Sequence, residues 1–191
     1  MAVPIIPAPR LQGTPTMLRA TILTAIAAAA LAGCTTTTAG SGAAAGRSAT
    51  APLRTAAGTD VGTVTATQTA NGIQIRVDAR GMPAGVHGAH VHTIGRCDAP
   101  DFTTAGGHWN PTSKQHGTSN PAGPHAGDAP NLTIGADGTG SVTVELPAGT
   151  MDGLLDADGA AFVIHANADD YKTDPSGNSG GRIACGVFAA A

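Results

Sequence analysis

The sequence predicts an all-β fold of eight short strands. Three observations predict it: apolar and polar residues alternate in short segments between turn residues, charged side chains make up 12% and aromatics 3% of the chain, and no long helix is persuasive. The 191 residues suit one domain of ordinary size once the unusual amino end is set aside. Its core must come from valine, isoleucine, leucine and alanine.

In chain order, the alternating segments run from Thr50 to Thr55, Asp60 to Gln68, Ile73 to Arg80 and Val86 to His92. Between the second and third, Asn71-Gly72 predicts a type I′ hairpin, because both residues accept positive φ. Four more segments follow: Asn131 to Ile134, Ser141 to Leu146, Ala160 to His165 and Ile183 to Phe188, with Ala136-Asp137-Gly138 as a further turn. Two stretches break this rhythm, Thr93 to Pro130 and Ala166 to Arg182. Connections of that length in a compact domain are usually functional.

The amino end reads differently. From Met17 come a charged start at Arg19, an apolar run from Thr21 to Ala30, and Leu31-Ala32-Gly33-Cys34, the pattern of a secretion signal over residues 17–33. The run is too short for an anchored spanning helix. Leu31 to Cys34 resembles the lipobox of bacterial lipoproteins, which makes Cys34 an acylated first residue and the lipid the chain's one membrane contact. The other reading is a plain cleaved signal, cut after Ala28 to Ala30. Residues 1–16 are proline-rich and fit neither scheme, so translation is expected to start at Met17, with 1–16 a gene-model extension. Residues 34–49 are rich in threonine, alanine, glycine and serine and form a tether. The domain occupies residues 50–191.

Net charge is −3, and loss of Arg10 and Arg19 with the signal leaves eight basic against thirteen acidic residues, or −5. Nucleic acid is excluded as a partner on that balance. Of the three cysteines, a lipid would claim Cys34 and leave Cys97 and Cys185 to pair in an oxidising compartment, two free buried thiols being the alternative.

The histidines carry the chemistry. His90 and His92 are two apart on a strand, so both rings point one way while Val91 faces a core. With His108, His116, His125, His165 and Asp128 they read as two metal sites that share a ligand, and neutral imidazole suits copper and zinc. His108, His116, His125 and Asp128 make a closed tetrahedral zinc set, which orders a loop and leaves no place for substrate. His90, His92 and His165 supply three nitrogens to the other ion. His108 is the natural fourth, since an imidazolate binds through both ring nitrogens.

Five segments now stand together: Gly88-Ala89-His90-Val91-His92, Gly107-His108-Trp109-Asn110-Pro111, Pro124-His125-Ala126-Gly127-Asp128, Val163-Ile164-His165 and Gly181-Arg182-Ile183-Ala184-Cys185-Gly186-Val187. In this order they resemble the signature segments of copper/zinc superoxide dismutases, over roughly Thr50 to the carboxyl end. The resemblance implies an eight-stranded Greek-key β-barrel or sandwich with two long functional loops. It implies copper on His90, His92, His108 and His165, and zinc on His108, His116, His125 and Asp128. Asp169, with Asp170 beside it as the other candidate, matches an aspartate that joins His90 to His116. His87 matches a buried structural imidazole and is not counted as a ligand.

The implied reaction turns superoxide into oxygen and hydrogen peroxide by alternation of copper between two oxidation states, with His108 relaying the proton and Arg182 guiding the anion. Lys172 adds to the local field. The implied setting is the periplasmic side of a bacterial cell envelope, protected there from superoxide. A homodimer is a partner the resemblance allows, since family members both dimerise and stay monomeric. A contrasting expectation is a copper- and zinc-binding envelope protein without turnover.

Overall fold

The computed structural model describes residues 46–191. The signal at 17–33, Cys34, the stretch 1–16 and the tether up to residue 45 lie outside the described residues.

Alternation produces the first three strands as expected. β1 (Ser48–Arg54), β2 (Asp60–Gln68) and β3 (Ile73–Ala79) form an antiparallel meander in which Ala49, Ala51, Leu53, Val64, Ala66, Ile73, Ile75 and Val77 are buried. Intervening residues such as Gln74, Arg76 and Asp78 face water. β1 starts within the segment expected as tether, because Ser48 and Ala49 pair with Thr67 and Ala66.

The turn between β2 and β3 differs from expectation. It is a four-residue loop, Thr69 to Gly72, and Asn71 is not among the residues with positive φ. The buried Gln68 is the reason: its Nε2 donates to Gly72 O at 2.6 Å and its Oε1 accepts from Met151 N at 2.8 Å.

The expected strand from Val86 to His92 is two, β4 (Gly85–His87) and β5 (Ala89–His92). Gly88 separates them. A Cβ there would lie 2.5 Å from Ser179 Oγ, and the Gly88 N–H donates to Asn167 O at 2.7 Å, so the chain changes partners at this point. β4 pairs with β6 (Leu132–Ile134), and β5 pairs with β8 (Ala161–His165).

β7 (Gly140–Leu146) lies beside β3, and β9 (Arg182–Val187) lies between β8 and β1. A short β10 (Ala189–Ala190), not foreseen, pairs with the start of β1. The main sheet runs β5-β8-β9-β1-β2-β3-β7 and is antiparallel throughout. The β4–β6 pair spans from β5 to β7: β4 continues into β5, and β6 turns into β7 where Gly135 N donates to Thr139 O at 2.8 Å. The resulting curled sheet is almost free of helix. The described residues hold one α-helical turn, α1 (Met151–Leu154), capped by Thr150 Oγ1.

The core inside this wrap joins Leu53, Ile73, Ile75, Val91, Leu132, Met151, Leu154, Phe162 and Ile164. A second, smaller cluster of Phe102, Ala105, Ala161, Val163 and Cys185 fastens the start of the first long loop to β8 and β9. The disulfide Cys97–Cys185, with Cα atoms 5.7 Å apart, crosses the same junction.

Candidate metal centre

β5 carries His90 and His92, and its pairing with β8 brings His165 to the same end of the sheet. The first long loop then runs along the open side of β5. Trp109 N donates to Val91 O at 2.8 Å, Val91 N donates to Gly127 O at 2.9 Å, and bridges join His92 to His108 and His90 to Asp128. Loop and strand therefore bring seven ligand-type side chains together, all of them buried: His90, His92, His108, His116, His125, His165 and Asp128. Val91 packs into the main core, as alternation requires.

The seven fall into two sets that share His108. In one, a ring nitrogen from each of His90, His92, His108 and His165 lies within 4.8 Å of every other; in the other, His108, His116, His125 and Asp128 meet in the same way. Asp128 Oδ1 stands 2.9 Å from His108 Nδ1, 3.1 Å from His116 Nδ1 and 3.2 Å from His125 Nδ1. A tetrahedron of zinc ligands at ordinary bond lengths has edges of roughly 3.3 Å, so these spacings suit a shared ion.

Unused nitrogens locate the first ion. His90 Nδ1, His92 Nε2, His108 Nε2 and His165 Nε2 are buried without a hydrogen-bond partner. Burying four unpaired polar atoms side by side is costly unless something binds them. The opposite nitrogen of each ring is anchored: His90 Nε2 to Asp169 Oδ2 at 2.7 Å, His92 Nδ1 to Gly106 O at 2.9 Å, His165 Nδ1 to Gly180 O at 3.2 Å, and His108 Nδ1 to Asp128. For His90, His92 and His165 those anchors fix which nitrogen is free for metal, while His108 Nδ1 faces the second set. His116 Nδ1 likewise lacks hydrogen-bond geometry, despite its closeness to Asp128. The donor sets fit the metals expected of them: four imidazoles suit copper, and three imidazoles with one carboxylate suit zinc.

Electrostatics favours the metal-binding protonation state of the first set. Burial pushes the His165 imidazole down to about 3 and that of His108 down to about 4, and it holds His92 well below its ordinary value and His90 below it. Neutral rings are the form that binds. His116 goes the other way. Burial disfavours its charge, but the carboxylates of Asp128 and Asp169 on either side outweigh that and raise it to about 9. Burial also opposes ionisation of Asp128 and Asp169, yet the histidines bonded to each hold both carboxyls below the usual carboxylate range.

Asp169 is the residue placed between the sets. Its Oδ2 accepts from His90 and its Oδ1 accepts from His116 Nε2 at 3.0 Å. Asp170 points elsewhere, accepting from Thr173 and Asn178. Gly177, at φ 62°, backs the Asp169 carboxylate so closely that a Cβ would sit 1.8 Å from Oδ1. His87 belongs to neither set; its two nitrogens face His165 O at 2.8 Å and Pro83 O at 3.1 Å.

A cleft of about 380 Å³ opens onto the first set, lined by His92, Gly107, His108, His165, Gly180 and Arg182. Arg182 stands across the β8–β9 register from His165. Its guanidinium donates to Phe102 O and to Gly106 O, each at 2.6 Å. Lys172 is exposed on the second long loop. Sequence reasoning did not find Gly106, Gly180, Asn131 or Tyr171. The first two act through backbone carbonyls, which no residue type announces, and the last two have ordinary turn and loop chemistry.

The geometry has counterparts in known proteins. A sequence model of the family described as "Copper/zinc superoxide dismutase (SODC)" matches residues 61–188. A superoxide dismutase [Cu-Zn] of Aquifex aeolicus is 46% identical over 138 residues, covering 68% of this chain and 80% of that protein. A "superoxide dismutase-like protein" of Bacillus subtilis is 48% identical over 123 residues, and the match spans 61% of this chain and 63% of that relative's length. The crystal structure of a SOD-like protein from Bacillus subtilis superposes with a TM-score of 0.68 at 43% identity, covering 73% of this chain and 97% of that one.

Proposed function

Because this chain belongs to the copper/zinc superoxide dismutase family, we propose that its paired histidine sets convert two superoxide anions and two protons into dioxygen and hydrogen peroxide. His90, His92, His108 and His165 would hold copper, and His108, His116, His125 and Asp128 would hold zinc. Bound copper supplies a one-electron couple that oxidises one superoxide and reduces the next.

The chain's own residues do the rest. Arg182 spends N–H groups on Phe102 O and Gly106 O, which locks its fork and leaves the remaining donors for an anion in the cleft. The chain is acidic overall, so the pull on superoxide is local to this guanidinium. His108 has Nδ1 committed beside Asp128. Nε2 is therefore where this ring takes up a proton and delivers it to the forming peroxide.

The observation that carries this reading is the set of four buried, partnerless ring nitrogens beside a cleft that holds an arginine. The test is metal content together with superoxide consumption. Protein that takes up both metals and consumes superoxide supports it; fully loaded protein that leaves superoxide untouched is a metal store.

We infer further that the mature chain is exported and held on the periplasmic side of a bacterial envelope by a lipid on Cys34, where it removes superoxide. Support comes from the Met17 to Cys34 pattern and from the Cys97–Cys185 disulfide, which persists in oxidising compartments. Mass spectrometry of the mature amino-terminal peptide tests it. Acylated Cys34 is expected, and an unmodified terminus following Ala28 to Ala30 overturns the anchor.

A further inference from the structure

Asp169 can serve two rings only while its carboxylate plane is held, and two residues outside both histidine sets hold it. The side chain of Asn131 pairs with the Asp169 backbone in both directions: Asp169 N donates to Asn131 Oδ1 at 2.8 Å, and Asn131 Nδ2 donates to Asp169 O at 2.9 Å. The backbone N–H of Tyr171 donates to Asp169 Oδ1 at 2.6 Å, the same oxygen that serves His116.

That last bond comes from a strained position. Tyr171 sits at φ 62°, in the left-handed region that a residue with a Cβ avoids. Its phenol is tied down from the far side, where Tyr171 Oη accepts from Asn131 N at 2.8 Å. Asn131, Asp169 and Tyr171 thus close a ring of hydrogen bonds around a carboxylate whose side chain is 1% exposed. Asn131 follows Asp128 by three residues and leads into β6, while Tyr171 lies on the second long loop. The ring therefore ties the segment bearing zinc-type ligands to the loop bearing Asp169.

A simple loop staple has no need of this arrangement. Backbone pairing alone joins loops, whereas here a strained tyrosine presents its N–H to one carboxylate oxygen and an amide side chain fixes the backbone behind it. We propose that Asn131 and Tyr171 are positioning residues for the Asp169 bridge, setting the ring orientations of His90 and His116 and so coupling the two metal sets. The proposal rests on the reading of those sets as copper and zinc sites.

The experiment measures zinc affinity by chelator competition, and the Cu(II) electron paramagnetic resonance spectrum, on the full copper- and zinc-loaded chain. Asp169→Asn is expected to weaken zinc binding by roughly 10–100-fold. Tyr171→Phe keeps the packed ring and removes only Oη. It is expected to weaken zinc binding by at least about threefold and to shift the copper spectrum, with no further loss when combined with Asp169→Asn. Asn131→Ala should behave alike; should it fail to fold, Tyr171→Phe decides alone. A lowered melting temperature with unchanged zinc affinity and copper spectrum overturns the proposal, as do losses that add in full in the double variant. Wild-type protein that binds two metals while Tyr171→Phe is silent strikes this inference alone; wild-type protein that binds neither overturns the site reading with it.

Discussion

His92 and Arg182 share one acceptor. The carbonyl of Gly106 receives His92 Nδ1 at 2.9 Å and an Arg182 guanidinium N–H at 2.6 Å, so a candidate copper ligand and the arginine that lines the cleft are indexed to the same backbone atom. Neither can drift without the other.

Arg182→Ala is accordingly expected to slow superoxide consumption by roughly tenfold to a hundredfold and to flatten its dependence on ionic strength, with copper and zinc retained. Arg182→Lys should recover only part of this, because an ammonium lacks the planar fork that reaches Phe102 O and Gly106 O together. Stopped-flow rates at several salt concentrations check both. Equal rates and equal salt slopes in all three proteins would remove Arg182 from the mechanism.

His165→Ala should abolish dismutation while leaving zinc in place. It deletes one of four nitrogens from the first set and leaves all four members of the second, His108, His116, His125 and Asp128, in the chain. The loss of copper affinity should exceed the roughly 10–100-fold that outer partners cost. Metal analysis and a superoxide assay on one preparation decide the point, and joint loss of both metals would argue against two separable sets.

The disulfide spans 88 residues, and the loop-entropy account assigns its closure about 4–5 kcal/mol, an upper figure because strain subtracts. Cys185→Ser should lower the melting temperature by about 10 °C or more. Because the bridge fastens the segment whose Phe102 and Gly106 carbonyls hold Arg182, superoxide consumption should fall as well. Calorimetry and kinetics on the same variant test the linkage.

Metal-free protein should be most stable near pH 6.5. His165 and His108 have folded values of about 3 and about 4, below the ordinary 6.5 of an unfolded chain. Between those values the unfolded chain binds protons that the folded one refuses, so stability is lost as pH falls from 6.5. Asp128 and Asp169, held below the usual carboxylate range, extend the loss to lower pH. His116 has the opposite sign. Raised to about 9, it contributes stability that is complete below 6.5 and fades as pH rises through 9. Urea unfolding at pH 4, 6.5 and 9 measures both slopes, and a flat profile would refute them.

Much of this centre was legible because its ligands are side chains of rare type in recognisable segments. His90 and His92 declare a strand face by spacing alone, and all seven ligand-type residues converge where the sequence expects two joined sets. Strand positions were legible too, since apolar alternation is a local property, as β2 and β3 show. What escaped depends on distant contacts. The break at Gly88 is imposed by Ser179 and Asn167, far along the chain, and the widened loop before β3 by Met151 reaching Gln68. Tyr171 escaped for a similar reason, since its backbone angle has no signature in a residue that is not glycine.

The pairing of Trp109 and Gly127 against Val91 also bears on solubility. β5 ends the main sheet, and its outward row of backbone donors and acceptors is covered by the loop that carries His108, His116, His125 and Asp128. A bare strand at that rim is a template for another chain. Departure of the loop would uncover an adhesive border, so the backbone bonds of Trp109 and Gly127 to Val91 also guard against self-association.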